Sequence, residues 1–305
     1  MAIMDKQPIL SLCIPTNGAL EWIRPVIESI YSQAYDNEKF EVVITDNGKS
    51  SQLPDYIAQL TYPNLRYRQT ADEGFLNLVT CLKDGKGMFC KMINHRACVL
   101  PGAIEQMVKI VEHYKDTKPI IYCVNGFLKG SPVIIECEDL NALIRKMYYW
   151  CSWSGGIGLW QEDIKNIDDV RLNFMFPNAS LLFDIRKDTQ YVIWNKKYQQ
   201  MGDDTGKGGY NIFETFGITF VDILNDLRKE GRISLDTFVY GKEKMYEYIC
   251  QLYYQEVLMP TKHTFFIDGA KDYMGVFFSS YDYWKMVIRC GTRAKLAKIK
   301  RKFIK

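Results

Sequence analysis

The sequence lacks any arrangement of cysteines that would cross-link the fold or bind zinc. It contains nine cysteines, an odd number, and no two of them form a Cys-x-x-Cys pair. Disulfide-stabilised domains carry even sets of cysteines, and structural zinc sites need clustered Cys and His residues. Scattered thiols are typical of a reduced, cytoplasmic protein. A disulfide framework and a zinc-finger fold are both excluded.

Long hydrophobic runs are also missing. No window reaches the roughly 18 apolar residues that a transmembrane helix needs. The opening segment MAIMDKQPILSLCIP has an apolar run too short for a signal peptide, and it lacks a cleavage site. The sequence therefore predicts a cytoplasmic protein that at most rests on the surface of a membrane.

The charges are nearly balanced, with a net charge of +3 at pH 7. Residues 289–305 hold eight Lys or Arg and no acid, so the rest of the chain is slightly acidic. This distribution argues against a general nucleic-acid binder. The P-loop pattern GxxxxGK[ST] is absent, which argues against an ATPase. With 47% hydrophobic residues, the chain has the composition of a folded globular protein.

Apolar segments alternate with amphipathic ones up to about residue 125. The apolar segments predict strands at residues 9–15, 40–45, 65–69, 88–93 and 120–124. The amphipathic segments predict helices at residues 20–34, 53–60, 74–83 and 101–114. This alternation predicts an open, mostly parallel α/β sheet, in which ligands bind at the carboxyl ends of the strands. That rule places Pro15-Thr16, Asp46-Asn47 and Asn94-His95-Arg96 on one edge.

The second half of the chain is less regular. The segments LLFDI and YVIW have the composition of strands, and a glycine-rich loop is predicted at residues 202–210. Residues 213–258 have helical spacing with a break at Gly231, and residues 280–305 predict one or two helices. We therefore expect an α/β half at 1–125, a less regular half of the same domain at 126–215, and a helical region at 216–305.

Asp46 is the most informative polar residue on the predicted edge. A carboxylate at a strand end can accept hydrogen bonds from a nucleobase imide or a ribose hydroxyl. The alternative is an ordinary Asp-Asn-Gly turn without a ligand.

Four motifs in order resemble family 2 glycosyltransferases. They are ILSLCIPTNG, a helix carrying Ser29-Ile30 and Gln33, FEVVITDNGKS, and a Gly-Phe-Leu-Asn segment that ends at Asn77. The sequence LPGA at 100–103 then matches the segment that follows the family's metal motif. The resemblance covers residues 9–115. Less closely, SGGIGLW, FPNASLLF and KGGYNIFETF resemble bacterial polysaccharide glycosyltransferases of the same family.

The resemblance implies a GT-A fold: a mostly parallel, Rossmann-like sheet flanked by helices, followed by a mainly helical C-terminal part. It implies that residues 1–125 are the nucleotide-sugar-binding half and residues 126–215 the acceptor-binding half. The implied donor is a nucleotide diphosphate sugar, with Asp46 at the base or ribose and Thr16 beside it. Lys207, in the glycine-rich loop, could meet the diphosphate, although a flexible surface loop is the alternative. The expected donor-binding residues are Pro15, Thr16, Asp46, Asn47, Asn77, Asn94, His95, Arg96 and Lys207.

An inverting transfer also needs a general base that takes the proton of the acceptor hydroxyl. The family usually supplies this acid from its second half. The candidates are Glu162, Asp163, Asp184, Asp203 and Asp204, and the sequence singles out none of them from ordinary solvated acids. Gly155 and Gly156 are expected to shape the acceptor loop, because glycine lets the backbone approach a ligand closely. Asn178 is expected to bind the acceptor as well.

One departure from the family pattern concerns the metal. The family normally has an Asp-x-Asp cluster before Leu-Pro-Gly-Ala, which binds Mg²⁺ or Mn²⁺ at the donor diphosphate. Those positions here are His95, Arg96 and Ala97. Arg96 could form bidentate bonds to phosphate in place of the metal, and His95 could donate a bond or bind a softer metal. The alternatives are a metal site built elsewhere and a site that has lost catalysis.

The basic tail alternates apolar and basic residues at helical spacing. Leu296, Ile299 and Phe303 fall on one face, with lysines on the other. This pattern predicts a helix that lies on an anionic membrane, and the alternative is a solvated basic tail. The sequence as a whole predicts an enzyme of surface-polysaccharide synthesis at the inner face of the cell membrane, with a glycan or lipid-linked acceptor. Its rivals are a non-catalytic scaffold of the same fold and a nucleotidyltransferase, whose Gly-rich triphosphate loop is missing.

Overall fold

A computed structural model describes residues 7–259 and 261–303, with the side chains of 301–303 excluded. Residues 1–6 of the opening segment, the side chain of Phe303 and residues 304–305 of the tail therefore lie outside what is described. The chain forms two compact units. Unit 1 takes in the described residues up to Leu143 together with Trp150–Asp203, and unit 2 takes in Ile144–Tyr149 and the described residues from Asp204 onward. Unit 2 thus begins inside the predicted acceptor-binding half.

Unit 1 contains ten short strands. They are β1 (Leu10–Thr16), β2 (Phe40–Asp46), β3 (Leu65–Gln69), β4 (Phe89–Met92), β5 (Ala97–Val99), β6 (Ile120–Cys123), β7 (Ile134–Cys137), β8 (Gly158–Trp160), β9 (Tyr191–Trp194) and β10 (Gln199–Met201). The helices up to Asp184 are α1 (Leu20–Tyr31), α2 (Gln52–Ile57), α3 (Asn77–Asp84), α4 (Ala103–Tyr114), α5 (Leu140–Met147), α6 (Gln161–Ile164) and α7 (Pro177–Asp184). Short 3₁₀ turns lie at Gly74–Leu76, Tyr148–Ser152, Ser154–Gly156 and Ile167–Asp169.

The main sheet has the strand order β3-β2-β1-β4-β8. Its first four strands are parallel and β8 is antiparallel to β4. A second sheet has the order β6-β9-β7, in which β6 is parallel and β7 antiparallel to β9. β5 and β10 form an antiparallel pair. The predicted α/β class, with a mostly parallel sheet and flanking helices, is confirmed.

Helix α1 shows why the sheet is covered. Its apolar residues recur every three or four positions, so they share one face, and all four are buried: Ile23, Val26, Ile27 and Ile30. They pack on β1 and β2, whose own residues are buried along their length. Burying one such side chain contributes about 1.5–3 kcal/mol, so this layer stabilises the sheet.

Unit 2 is mainly helical, as predicted. Its elements are β11 (Gly208–Asn211), α8 (Ile212–Glu214), a π-helical turn (Thr215–Thr219), α9 (Phe220–Lys229), α10 (Leu235–Leu252), a second π-helical turn (Tyr253–Leu258), β12 (Thr264–Phe266), α11 (Ala270–Met274) and α12 (Ser280–Phe303). Gly231, at φ +74°, follows the end of α9. The tail forms one helix, α12. Within the described part of the chain, none of the helices has the length and apolarity that a membrane crossing requires.

Two local predictions are wrong. The segment LLFDI belongs to helix α7 and not to a strand, because Pro177 sits at the first helical turn and the helix is buried on all sides. A continuous apolar run does not distinguish a buried strand from a buried helix. The glycine-rich loop at 202–210 is interrupted by β11, whose Gly208 lies so close to β12 that an added Cβ would fall 2.3 Å from the Thr264 carbonyl carbon.

Candidate functional site at the carboxyl edge of the sheet

The carboxyl ends of β1 and β2 are joined by hydrogen bonds. Thr16 and Asp46 are register partners, and the Asn47 backbone N–H donates to the Thr16 carbonyl at 3.1 Å. Beneath them, the buried Asn77 side chain donates to the carbonyls of Thr16 at 3.1 Å and Thr45 at 2.9 Å. The first turn of α3 thus ties the two strand ends together. Four predicted donor-binding residues, Thr16, Asp46, Asn47 and Asn77, meet at this edge.

The Asp46 side chain is enclosed by its neighbours at the ends of the strands. Its side chain has no exposed surface. Oδ1 accepts from the Gly48 N–H at 2.7 Å, and Oδ2 accepts from the Tyr67 hydroxyl at 2.9 Å. An added Cβ would fall 3.0 Å from Oδ1 at Gly18 and 2.9 Å from it at Gly48, so only glycine fits at these two positions. Burial, and the hydrogen bond to Asp46, raise the pKa of Tyr67 well above its ordinary value.

The loop that follows β3 is fastened to the same edge. The Thr70 N–H donates to the Asp46 carbonyl at 2.8 Å. The Asn47 side chain donates to the carbonyls of Asp72 at 3.0 Å and Gly74 at 3.3 Å. The Asp72 Oδ2 is shielded and has no hydrogen-bond partner among the described residues. A shielded acceptor without a hydrogen-bond donor lowers the stability of the fold unless a ligand donates to it.

His95 sits beside Thr16. Its Nδ1 lies 2.9 Å from the Thr16 hydroxyl, which also accepts from the Gly18 N–H at 3.2 Å. When the Thr16 hydroxyl donates its proton to Nδ1, the neutral ring carries its own proton on Nε2. Burial, with a smaller contribution from Arg96, lowers the pKa of His95 to about 4. The imidazole is therefore neutral near pH 7.

Arg96 lies against an indole that sequence analysis did not predict. The guanidinium carbon is 3.2 Å from the centre of the Trp22 ring, and the His95 ring meets the same indole edge-on at 5.5 Å. The Arg96 N–H donates to Asn94 Oδ1 at 2.9 Å, and one guanidinium N–H donates to the Asp203 carbonyl at 3.4 Å. Asn94, His95, Arg96 and Asp203 thus belong to one cluster.

The segment between β4 and β5 does not suit a hard divalent cation. No group of three or more His, Cys, Asp or Glu residues that could hold a metal occurs in the described ranges. Mg²⁺ and Mn²⁺ prefer several oxygen ligands, and the residues between β4 and β5 offer Asn94, a neutral imidazole and a cation. This segment supplies a positive charge, the guanidinium of Arg96.

Glu162 and Asp163 lie at the other edge of the sheet. β8 runs antiparallel to β4 and ends at Trp160 opposite Phe89, the first residue of β4. Helix α6 therefore starts at the amino end of β4 and not at the edge with Thr16 and Asp46. Asp163 forms a two-point pair with Arg186, at 2.5 Å and 2.9 Å. Burial raises the pKa of Asp163 in spite of that pair.

The remaining candidate acids are distributed differently. Glu162 is paired with Lys118, whose hydrogen bond lowers the pKa of the glutamate. Asp184 ends helix α7. Asp203 is exposed, and its backbone carbonyl accepts a hydrogen bond from Arg96. In unit 2, the Asp204 carboxylate lies 3.7 Å from the Lys207 ammonium.

The predicted acceptor loop is held by a buried lysine. Lys91 on β4 donates to the carbonyls of Met92 and Gly155, both at 2.6 Å, and the Tyr198 hydroxyl donates to Gly155 at 2.8 Å. Burial lowers the pKa of Lys91 to about 8. An added Cβ at Gly156 would fall 2.0 Å from the Tyr122 ring. These two glycines are required by close packing.

Asn178 serves the same region from helix α7. Its side chain donates to the Cys151 carbonyl at 3.3 Å, just before the acceptor loop. Asn178 is buried, as are Gly155 and Gly156, so these residues support the loop from within. Pro15 is partly buried in β1, one residue before the strand end.

Comparisons with known proteins agree with this architecture. Residues 11–132 match the family model described as Glycosyl transferase family 2. An uncharacterized glycosyltransferase of Rickettsia felis is 22% identical over 253 residues, which cover 76% of this chain and 41% of the relative. The chain thus spans less than half of that relative's length.

Two solved structures share the fold. S. aureus TarS 1-349 in complex with UDP-GlcNAc superposes with a TM-score of 0.57 at 14% identity, over 80% of this chain and 72% of that one. The mannosyltransferase PcManGT from Pyrobaculum calidifontis, in complex with GDP-Man and Mn²⁺, gives a TM-score of 0.53 at 14% identity. That superposition covers 97% of this chain and 83% of PcManGT. The family match shows a family 2 glycosyltransferase domain at residues 11–132, and the parallel sheet and these neighbours show that the chain has the GT-A fold.

Proposed function

We propose that the protein transfers a sugar from a nucleotide diphosphate sugar to a glycan or lipid-linked acceptor, with inversion, in surface-polysaccharide synthesis. The observation that carries the proposal is the closed edge at which Thr16, Asp46 and Asn77 tie β1, β2 and α3 together. In open α/β sheets, nucleotides bind at such an edge. TarS, with UDP-GlcNAc, and PcManGT, with GDP-Man, are of the same fold.

In the proposed reaction an acceptor hydroxyl attacks the anomeric carbon of the donor sugar. The bond from that carbon to the diphosphate oxygen breaks, and the nucleoside diphosphate leaves with the electron pair. A general base takes the hydroxyl proton. We assign this role first to Asp203, because it is exposed and its backbone is bonded to Arg96, and second to Asp204.

The donor would lie along the strand ends. Pro15, Thr16 and Asn47 shape the edge with their backbones, and Asp46 supports it from beneath. Because both Asp46 oxygens already accept bonds inside the protein, Asp72 offers the acceptor that a base imide or ribose hydroxyl requires. The expectation that Lys207 binds the diphosphate stays a prediction.

Arg96 would meet the charge that builds on the leaving diphosphate. Catalysis of this kind needs a fixed positive charge at the departing oxygens. A guanidinium can bind phosphate with two parallel N–H donors, and neutral His95 can add one more through Nε2. The proposal is therefore an enzyme that transfers the sugar without a metal ion, whereas PcManGT was solved in complex with Mn²⁺.

Helix α12 supports a location at the inner face of the membrane. Its buried residues, Met286, Cys290 and Ala294, follow one another at four-residue spacing and pack on unit 2. The opposite side exposes five large hydrophobic residues: Tyr281, Trp284, Ile288, Leu296 and Ile299. Lysines and arginines flank this stripe. A helix of this composition binds an anionic bilayer through its apolar face and its positive charges.

A vesicle assay tests the membrane proposal. Ile288 is 67% exposed on α12, and Leu235 is 61% exposed at the start of α10. We expect Ile288→Glu to weaken binding to vesicles of phosphatidylglycerol by at least roughly 10-fold, because a buried apolar side chain contributes about 1.5–3 kcal/mol. Leu235→Glu is the matched control and should bind like wild type. The proposal would be refuted if all three proteins bound the vesicles equally. It would also be refuted if a chain without residues 289–305 bound them as tightly as wild type.

Nucleotide binding tests the function itself. The wild-type protein should gain thermal stability from UDP, GDP or their sugar esters, since a ligand that binds the native state stabilises it by mass action. Transfer of the sugar to a lipid-linked acceptor should then be measurable without added metal. Binding without transfer would favour the non-catalytic alternative, for which the missing acidic cluster is the supporting feature. No response to any nucleotide would refute the proposal.

A further inference from the structure

The Arg96 guanidinium packs against the indole ring of Trp22. The guanidinium carbon lies over the indole ring, 3.2 Å from its centre, which is direct contact with the face of the ring. The His95 ring meets the same indole edge-on, at 5.5 Å and 76°. One tryptophan thus contacts both residues that stand where the family has its acidic metal cluster.

We propose that Trp22 is a positioning residue that fixes the plane of Arg96 for the donor diphosphate. This inference rests on the function proposed above. Stacking engages the face of a guanidinium, whereas its N–H donors lie in the plane and point outward. The contact with Trp22 and a two-point bond to phosphate are therefore compatible. A guanidinium already held in place loses less side-chain entropy when the donor binds.

The position of Trp22 in helix α1 keeps the indole ring fixed. The helix begins two residues earlier, at Leu20, and the Trp22 N–H donates to the Ala19 carbonyl at 3.1 Å. The next residue, Ile23, is fully buried against the sheet. Trp22 is therefore fixed relative to β1, the strand that ends at Thr16.

The other end of Arg96 is fixed by backbone contacts. Its carbonyl accepts from the Gly202 N–H at 2.7 Å, and its guanidinium donates to the Asp203 carbonyl. An added Cβ at Gly202 would fall 2.6 Å from the Arg96 oxygen, so glycine is needed there. The side chain is held by the indole from one side and by residues 202–203 from another.

A double-mutant cycle tests the inference. UDP and GDP are titrated into wild type, Trp22→Leu, Arg96→Ala and the double variant, and kcat and KM are measured with the matching sugar donor. We expect Trp22→Leu to weaken nucleotide binding and lower kcat roughly 3- to 30-fold, the range of a cation–π contact. Trp22→Phe should keep most of both. The double variant should match Arg96→Ala alone, because Trp22 acts through Arg96.

The matched control is a second cation–π pair on the same helix. Arg24 stands over the Tyr56 ring at 4.9 Å, and Tyr56→Leu should leave nucleotide binding and kcat unchanged. Trp22→Leu could also lower nucleotide affinity and kcat in the Arg96→Ala variant by the same factor as in wild type. Trp22 would then contact the donor itself, and the inference would be wrong. A Trp22→Leu protein with wild-type kinetics also overturns it. A wild type that binds neither nucleotide would instead remove the proposed function, and the inference with it.

Discussion

Replacing Asp46 should weaken the fold before it affects chemistry. In Asp46→Ala the Gly48 N–H and the Tyr67 hydroxyl lose their acceptor, at 2.7 Å and 2.9 Å, inside an edge where Asp46 has no exposed surface. An orphaned buried donor costs about 1–3 kcal/mol, so the two together should cost about 3 kcal/mol. For a protein of this size that loss lowers Tm by about 5–10 °C.

Asp46→Asn should behave differently. The amide oxygen can still accept from Gly48, and the amide N–H can donate to the Tyr67 oxygen, so both bonds have a counterpart. We expect a Tm within about 3 °C of wild type for this variant, which corresponds to a loss of no more than about 1 kcal/mol. Asp55→Ala, at an exposed acid on α2, is the control and should change stability by less than about 0.5 kcal/mol.

Thermal unfolding and calorimetric titration with UDP and GDP separate the two possible roles of this carboxylate. If Asp46 supports the edge, Asp46→Ala should lose both stability and nucleotide affinity, whereas Asp46→Asn should keep both. An Asp46→Asn protein that melts like wild type but binds its nucleotide more than 10-fold more weakly would refute the reasoning. The carboxylate would then contact the donor directly.

Three further predictions concern the same edge. Sugar transfer should survive EDTA, and Arg96→Ala should lower kcat by roughly 10²–10³-fold, with only partial rescue in Arg96→Lys. Strict metal dependence together with an active Arg96→Ala enzyme would contradict this prediction. Because the pKa of His95 is lowered to about 4, the unfolded chain binds a proton that the native state rejects. Stability should be full above about pH 6.5 and fall toward pH 4, and urea unfolding of His95→Gln should show a smaller fall. Asp72→Asn should weaken nucleotide binding roughly 10-fold while the exposed Glu73→Gln does not, as titration will show.

The sequence determined the order of elements and the edge that carries the site. The alternation of apolar and amphipathic segments predicted β1 to β4 and the helices between them, because burial on a sheet imposes that periodicity. Strand ends in a parallel sheet meet at one edge, so the sequence alone places Thr16, Asp46 and Asn94 together. The position of Asn77 near a helix start was also visible, through the Gly-x-x-Asn motif.

Only the tertiary structure decided which partners these residues have. Trp22 and Lys91 gave no signal in the sequence, since a tryptophan in an amphipathic helix and a lysine in a strand are ordinary surface residues until the fold encloses them. Glu162 looked equivalent to Asp203, yet the antiparallel direction of β8 carries it to the other edge of the sheet. Periodicity specifies which face of an element is buried, whereas strand direction and contacts between distant segments depend on how the elements pack.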